Sequence, residues 1–488
     1  MRVFLTGATG FVGRALVLRL LREGHEVTAW VRDPQRARAR IGAEVKLADA
    51  GLGATALRDA VAASNAIVNL AGEPIAGGRW TKARRKRIFD SRVATTNALV
   101  DAIAAATPRP NVLISASAVG YYGDRGDEPL DENSAAGRGF LSEVCVAWEA
   151  AAARAEALGV RVARLRFGVV LGLGGGFLGQ LLPIVRRGLG ATLGDGRQWV
   201  PWIHLDDLVT TITAALANPA LAGVTNLVAP ESVRMRDLMT ALGRATGHGS
   251  SLRVPASLLR LGLGEAADPV LGSQRLDGKR LASLVPLRFK ELGPALANLC
   301  GQLQDVEIAP VVAPVAAAAE RPYLKERPPA YRLHSEVRLR APIADVFAFF
   351  SKPENLGALT PPDMAFRMTA PAAPISEGGT IDYTLRVAGA PLRWRTVFEL
   401  WRPGVCFVDS QARGPYRSWW HEHHFRADGD ATIMEDRVYY ALPLGPLGRL
   451  AHRLFVASQL RDVFGYRTQA IGMRFSTLPS VAPDPTLA

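Results

Sequence analysis

Cysteine is scarce in these 488 residues: there are three, Cys145, Cys300 and Cys406, far apart and odd in number. That pattern excludes a disulfide framework and a zinc site built on clustered thiolates, and it fits a reducing cytoplasm. Long apolar runs are missing as well. The most membrane-like stretch, residues 167–185, contains six glycines, a glutamine and a proline. It reads as a strand followed by a glycine-rich loop, so no membrane span is expected. Met1–Gly13 lacks the charged head and apolar run of a targeting peptide. Acidic side chains are outnumbered, 45 Asp and Glu against 58 Lys and Arg, which leaves a formal charge of +13. The excess is dispersed. Its densest run, Lys82–Arg87, falls on a helical pattern without interleaved aromatics, which favours a solvated helix face over a nucleic-acid surface.

What is present is glycine in a telling position. Val3-Phe4-Leu5 is followed by Thr6-Gly7-Ala8-Thr9-Gly10-Phe11-Val12-Gly13 and then by apolar residues at helical spacing, Leu16, Leu20 and Leu21. A strand–glycine turn–helix of this kind binds dinucleotides. Gly7 permits the tight turn, Gly10 lets a pyrophosphate approach the backbone, and Gly13 lets helix and strand pack closely. Amides at the helix start, around Thr9, Phe11 and Val12, then face the phosphates. An NAD unit ends its second strand on a carboxylate that holds the ribose hydroxyl. Here that strand, Val27–Val31, ends on Arg32, and a guanidinium suits a 2′-phosphate. NADP (as NADPH) is therefore expected over NAD, with Val31 and Arg32 at the adenosine end.

The length allows two to four domains. Residues 1–225 alternate apolar runs with helical patterns, which predicts a doubly wound parallel α/β sheet of Rossmann type. Its strands are read at Val3–Thr6, Glu26–Val31, Val45–Ala48, Ala66–Leu70, Asn111–Ala116 and Arg161–Phe167. A small helical lobe is expected over about 226–299, with a short strand near Leu252–Val254, completing a first domain of 1–305. The Ala/Pro-rich tract 306–330 is read as a linker. A second, α+β domain is expected over 331–475, followed by a tail, 476–488. It opens on an alternating strand (Val337, Leu339) and a helix from Pro342 to Phe350. It closes on a helix whose buried face carries Leu450, Leu454, Ala457, Leu460 and Phe464.

The first domain resembles the extended short-chain dehydrogenase/reductase superfamily, the NAD(P)-dependent epimerase/dehydratases, and within it the atypical "epimerase family protein" subgroup. The resemblance rests on TGATGFVG (Thr6–Gly13), NLAGEPI (Asn69–Ile75), Arg79-Trp80, Ser91-Arg92, SASAVGYYGD (Ser115–Asp124), RFGVVLG (Arg166–Gly172), GLG (Gly188–Gly190) and GDGRQWVPWIHLDDL (Gly194–Leu208). It implies that Leu70, Ala71, Gly72 and Glu73 run along the adenosine and pyrophosphate. It also implies that Arg92 serves NADP and that Gly168 and Val169 lie near the nicotinamide. Redox or epimerase chemistry on a small-molecule substrate is implied too. The superfamily works with a Ser and a Tyr-x-x-x-Lys, in which Lys tunes the Tyr for proton transfer. Aligned on Glu149, those two positions hold Leu141 and Cys145. Ser117 matches the usual Ser, and Tyr121 and Tyr122 are the nearest replacement acids. Packing against the glycine loop is the alternative role for both tyrosines. Arg79, Trp80, Arg197 and His204 are candidate substrate contacts, with a structural histidine as the competing reading for His204. Without the Tyr–Lys pair, a catalytically silent NADPH-binding sensor is the second reading.

The second domain resembles the START-like, polyketide-cyclase-type helix-grip family. The matching segments are the Pro342–Phe350 helix, WWHEHHF (Trp419–Phe425), MEDRVYYALPLGPLG (Met434–Gly448) and the closing helix. It implies a cavity for a hydrophobic ligand. His421 and His423 share one face of a strand and His424 the other. Two histidines without a nearby third ligand make a poor metal site, and none is expected. Partners are thus small molecules, with no nucleic acid, and a homodimer remains open.

Overall fold

Seven short runs rich in Val, Ile, Leu and Ala become one parallel sheet: β1 (Arg2–Thr6), β2 (Glu26–Val31), β3 (Lys46–Asp49), β4 (Ala66–Asn69), β5 (Val112–Ala118), β6 (Arg161–Phe167) and β7 (Gly223–Leu227). Their order is β7-β6-β5-β4-β1-β2-β3, every neighbouring pair parallel. Phe4, Leu5, Ile67, Val68, Leu113 and Ile114 are buried, as a sheet covered on both faces requires. Helices α1 (Phe11–Arg22) and α4 (Leu205–Ala217) pack against each other; α2 (Lys82–Ala105) packs beside α3 (Phe140–Ala153). Leu99, Val100, Ile103 and Ala152 of α2 and α3 close over Phe4, Ile67, Leu113 and Val162. Truncating such a side chain to alanine costs about 2–5 kcal/mol. The strand order reverses between β1 and β4. In open α/β sheets ligands bind at that switch point, beyond the carboxyl ends of the strands.

The structure is a computed structural model and describes residues 1–249, 252–311, 321–370, 375–387 and 390–478. The chain divides into two units: Met1–Ala37 with Glu44–Cys300, and Arg38–Ala43 with Gly301–Ala488. The six strands read from the sequence are all present. Asn226 belongs to β7, so the helical lobe starts after it, with helices at Met235–Ala245, Ala256–Leu263 and Lys279–Leu284. Leu252–Val254 is a strand, paired in parallel with Ala191–Leu193. No helix among the described residues is long and apolar enough to cross a membrane.

The second unit is a separate antiparallel sheet. Its strands are β8 (Glu307–Pro310), β9 (Tyr331–Leu339), β10 (Arg367–Met368), β11 (Thr380–Val387), β12 (Ala390–Arg402), β13 (Cys406–Arg413), β14 (Ser418–Asp428), β15 (Ala431–Ala441) and β16 (Thr477–Leu478). They run β8-β9-β15-β14-β13-β12-β11-β10, with β16 on β9. Pro342 caps α5 (Ile343–Phe350), and α6 (Ala457–Phe475) lays Leu460 and Phe464 on a cluster holding Leu333, Trp394, Trp419, Val438 and Tyr440.

Two expectations need correction here. The linker 306–330 is partly ordered: β8 pairs with β9, and a helix at Pro322–Glu326 buries Leu324 against Val408 and Trp420. Val306, Ile308 and Leu324 supply the apolar contacts that the alanine-rich composition obscured. The stretch 312–320 and the tail beyond Leu478 lie outside the described residues. The closing helix is also not one continuous face. A short helix, Gly445–Ala451, passes through a wide turn at His452–Val456 before α6 begins. That turn rotates the register, leaving Leu450 and Leu454 exposed and burying His452 and Val456 instead.

Candidate functional site

The glycine turn is shaped by what its residues lack. Gly7 has φ +73°, and a Cβ there would sit 2.5 Å from the Leu70 carbonyl oxygen. A Cβ on Gly13 would lie 2.1 Å from the Gly7 carbonyl oxygen, so only glycine lets α1 approach β1 this closely. Gly10 occupies the N-cap of α1 and donates its own amide to Gly7, 3.0 Å away, but offers no side-chain cap to the helix. The first amides of α1, with no acidic residue in that turn, therefore form a positive end suited to an anion. Phe11 fills the space beside Gly172, Gly175 and Gly176, where any Cβ would strike its ring. Thr9 and Val12 are partly exposed in the same turn.

At the end of β2, Val31 is buried and Arg32 is exposed. The neighbouring Asp33 carboxylate is engaged: it accepts the Arg36 amide at 2.9 Å, capping the helix Pro34–Ile41. After β4, the hydroxyl of Thr6 donates to Asn69 (2.7 Å) and accepts the Ala71 amide (3.2 Å), which holds Leu70 and Ala71 beside the glycine turn. The Glu73 amide donates to Ser91, 2.9 Å away. Arg92 donates to the carbonyls of Glu73 (3.1 Å) and Ile88 (3.0 Å) and lies over the Trp148 ring. A Cβ on Gly72 would touch its guanidinium at 3.0 Å. Gly72, Glu73 and Arg92 are thus neighbours. Gly168 is glycine because the chain at Pro201 crosses it: a Cβ would come within 2.7 Å of the Pro201 oxygen, which accepts the Val169 amide.

Ser117 is buried beneath this surface and donates to Glu149 at 2.7 Å. Glu149 in turn receives a bidentate pair from Arg166, at 2.7 and 2.8 Å. Arg166 also donates to the Tyr122 hydroxyl (2.8 Å) and covers the Tyr121 ring at 3.4 Å. Burial opposes the charged guanidinium, yet Glu149 and Tyr122 raise the Arg166 pKa above its ordinary value. Burial pushes the Tyr122 phenol up to about 12, and its hydroxyl is spent on Asn226 and the Asp131 carbonyl. Cys145, at the position of the family lysine, is also buried, and its thiol is pushed up to about 11. Among the described residues nothing hydrogen-bonds the Tyr121 hydroxyl. Arg166 stood within a motif and Glu149 served only as an alignment anchor, neither with a role from sequence; only the packing of α3 on β5 and β6 brings them to Ser117.

The four candidate substrate contacts do not converge. Arg79 donates to the carbonyls of Leu261 and Gly262 in the lobe, and Trp80 donates to Ile75 (2.8 Å) with its ring edge-on to Phe140. Arg197 turns its amide to Asp195, while its neighbour Trp199 binds Asp127 and lies beneath Arg234. His204 takes its structural role. It is 2% exposed, accepts the Asp206 amide as the N-cap of α4, and lies against the tilted Phe289 ring, with centroids 4.0 Å apart. Burial first, then Arg288, lowers its pKa to about 3, which favours a neutral imidazole in the cap.

In the second unit, His421 and His423 share an inner face of β14, as alternation requires. The expectation that no third ligand lies near them fails: Asp409 of β13 brings a carboxylate to both rings. His424 is on the other face, where it meets Glu422 together with Trp420 and Arg321.

The model of the NAD dependent epimerase/dehydratase family matches residues 3–227. The chloroplastic epimerase family protein SDR39U1 homologue of Arabidopsis thaliana is 42% identical over 299 residues, 60% of this chain and 82% of the relative. Human epimerase family protein SDR39U1 is 36% identical over 304 residues, 61% of this chain and 99% of the relative. A crystal structure of the human protein (isoform 2) with NADPH aligns at a TM-score of 0.54 and 34% identity, covering 62% of this chain and 99% of that one. With the dinucleotide turn in place at the strand-order reversal, these likenesses establish that the chain belongs to the NAD dependent epimerase/dehydratase family, among the SDR39U1-like epimerase family proteins.

Proposed function

We propose that residues 1–305 bind NADPH and use it in oxidoreduction or epimerisation of an unidentified small molecule. One observation carries the reading: a side chain at Gly7 or Gly13 would strike backbone, and the uncapped α1 amides stand at the sheet's switch point. Gly7, Thr9, Gly10, Phe11, Val12 and Gly13 would hold the pyrophosphate. Val31 and Arg32 would meet the adenosine and its 2′-phosphate. Preference for NADP over NAD follows because the carboxylate at hand, on Asp33, is committed to capping a helix. Leu70, Ala71, Gly72, Glu73 and Arg92 would continue the groove, with Gly168 and Val169 at the nicotinamide end. The NADPH bound in the human relative's crystal structure supports the same choice. NADPH would supply hydride chemistry, while the chain supplies orientation and proton transfer.

Ser117 and Tyr121 are the candidate catalytic residues. Since Ser117 is engaged with Glu149, the Tyr121 hydroxyl is the group left to exchange a proton with substrate. Arg79, Trp80 and Arg197 remain candidates to line the substrate entrance. The second domain would bind a hydrophobic ligand in a START-like cavity; the aromatic set Tyr383, Trp394, Tyr416 and Trp419 supports this, with Trp394 and Trp419 edge-to-face at 5.3 Å.

A second reading is an NADPH-binding sensor without turnover. The Leu141 and Cys145 substitutions favour it. Fluorescence titration of the full chain tests the common premise: saturable binding, tighter for NADPH than NADH, is expected. No saturation at millimolar cofactor overturns both readings. Turnover across a panel of carbonyl substrates, lost in Tyr121→Phe, supports the enzyme; bound NADPH with no turnover across that panel supports the sensor.

A further inference from the structure

The inner face of β14 carries a cluster that the first unit's chemistry does not use. His421 and His423 project from alternate positions on one strand, with ring centroids 3.8 Å apart. Strand register brings Asp409 of β13 opposite His421 and Asp436 of β15 opposite His423. Arg467 descends from α6 onto Asp436, with Nε 3.2 Å from one carboxylate oxygen. The rings of Phe407 and Phe464 flank the two histidines, and the side chains of all five polar residues are largely buried.

We propose that Asp409, His421 and His423 form a binding site for one divalent transition-metal ion of the zinc class, oriented by Asp436 and Arg467. The nitrogen assignments make the argument. His421 Nε2 lies 3.1 Å and His423 Nδ1 lies 2.8 Å from the same Asp436 oxygen. If both donate there, His421 Nδ1 and His423 Nε2 keep lone pairs, and each faces the same Asp409 oxygen, at 3.7 and 3.1 Å. Ligand atoms about 2.0–2.2 Å from a tetrahedral ion stand about 3.4 Å apart. The two measured separations bracket that spacing, and one atom from each of the three residues falls within 4.8 Å of the others. A carboxylate receiving the far N–H of a metal-bound histidine is the usual outer-shell arrangement. Here one carboxylate serves two histidines.

Charge agrees with geometry. Within the cluster the charged side chains are Asp409, Asp436 and Arg467, so with neutral imidazoles these five groups sum to one net negative charge, which a cation would reverse. Without metal, the Arg467 guanidinium nitrogen that donates to His423 Nδ1 at 3.1 Å favours the opposite tautomer, with Nε2–H on Asp409. Metal binding would therefore shift the ring tautomer and leave this Arg467 nitrogen to Asp436, 3.2 Å away. Two histidines and one carboxylate leave a coordination position open.

The test uses the untagged full-length chain, dialysed against chelator and titrated with Co²⁺ by absorption and with Zn²⁺ by calorimetry. One ion per chain, with ligand-field bands of a nitrogen/oxygen site, is expected. His423→Asn and Asp409→Asn should abolish that stoichiometric binding, while Asp436→Asn should weaken it about 10–100-fold as outer-shell substitutions do. No saturable Co²⁺ spectrum, or binding unchanged in Asp409→Asn and His423→Asn, overturns the proposal. If a variant does not fold, the native chain decides: its second unit should melt higher with Zn²⁺ in excess, and an unchanged melt counts against the site.

Discussion

The glycine turn of the first unit and the histidine cluster of the second are built in opposite ways. The turn uses backbone amides of one contiguous segment, and its requirement is the absence of side chains at Gly7 and Gly13. The cluster uses side chains from three strands and a helix, and its requirement is register: Asp409 beside His421, His423 beside Asp436. A backbone-built site leaves a local signature in the chain. A side-chain-built site becomes visible only when strand pairing is known. The Ser117–Glu149–Arg166 network falls between the two, since its members lie in recognisable motifs yet meet only through packing.

That intermediate case should give the largest effect. Glu149→Ala would leave Arg166, 3% exposed, as a buried charge without its bidentate partner. A loss of about 3–5 kcal/mol is expected on breaking such a pair. Urea unfolding of the first unit would measure it, and a loss below about 1 kcal/mol would mean that water reaches the guanidinium. Next in size is Gly13→Ala. The added carbon meets the Gly7 carbonyl oxygen and the Ala8 backbone, neither of which can swing aside as a side chain can. A cost of about 1–3 kcal/mol is expected, as for overpacking in a core. Cofactor affinity should fall with it, because the α1 amides are displaced. Full NADPH binding in that variant would break the proposed link between the turn and the ligand.

Legibility followed the same division. The six expected strands of the first unit came from apolar runs and all are present, because a sheet buried on both faces leaves a continuous hydrophobic signal. The loop carrying Gly72 and Glu73 was readable through the family resemblance, whereas the contact of Arg92 with both comes from packing. Asp409 was not, because nothing in the spacing of His421 and His423 names the strand that pairs with them. His204 was readable only as two alternatives. Its motif marked the position, but whether a histidine meets a substrate or caps a helix depends on burial, and periodicity does not give the burial of a single polar residue.

His204 supplies a pH test. Its folded pKa, about 3, lies below the ordinary 6.5, so the unfolded chain takes up a proton first as pH falls. Stability is therefore complete above pH 6.5, declines toward pH 3 and loses nothing further from this group below that. The slope is about 1.4 kcal/mol per pH unit. His204→Asn keeps a capping acceptor without titrating in this range. Denaturant melts at pH 6.5, 5.5 and 4.5 should show the native protein losing stability faster than the variant. Parallel curves would mean that His204 is protonated in the folded state.

The smallest effect bears on the closing helices of the second unit. Uniform helical spacing would bury Leu454 with Leu460, but the wide turn at His452–Val456 separates them: Leu454 is 61% exposed and Leu460 5%. Surface substitutions away from special features stay within about ±0.5 kcal/mol. Leu454→Glu should therefore leave the thermal melt of the second unit nearly unchanged, whereas Leu460→Glu buries a carboxylate against Trp394 and Trp419 and should unfold it. Equal damage from both would restore the single continuous face that the leucine spacing suggests. A neutral Leu454→Glu would instead show that one extra residue in a helical turn outweighs a sequence-wide hydrophobic period, because packing answers to where the backbone carries each side chain.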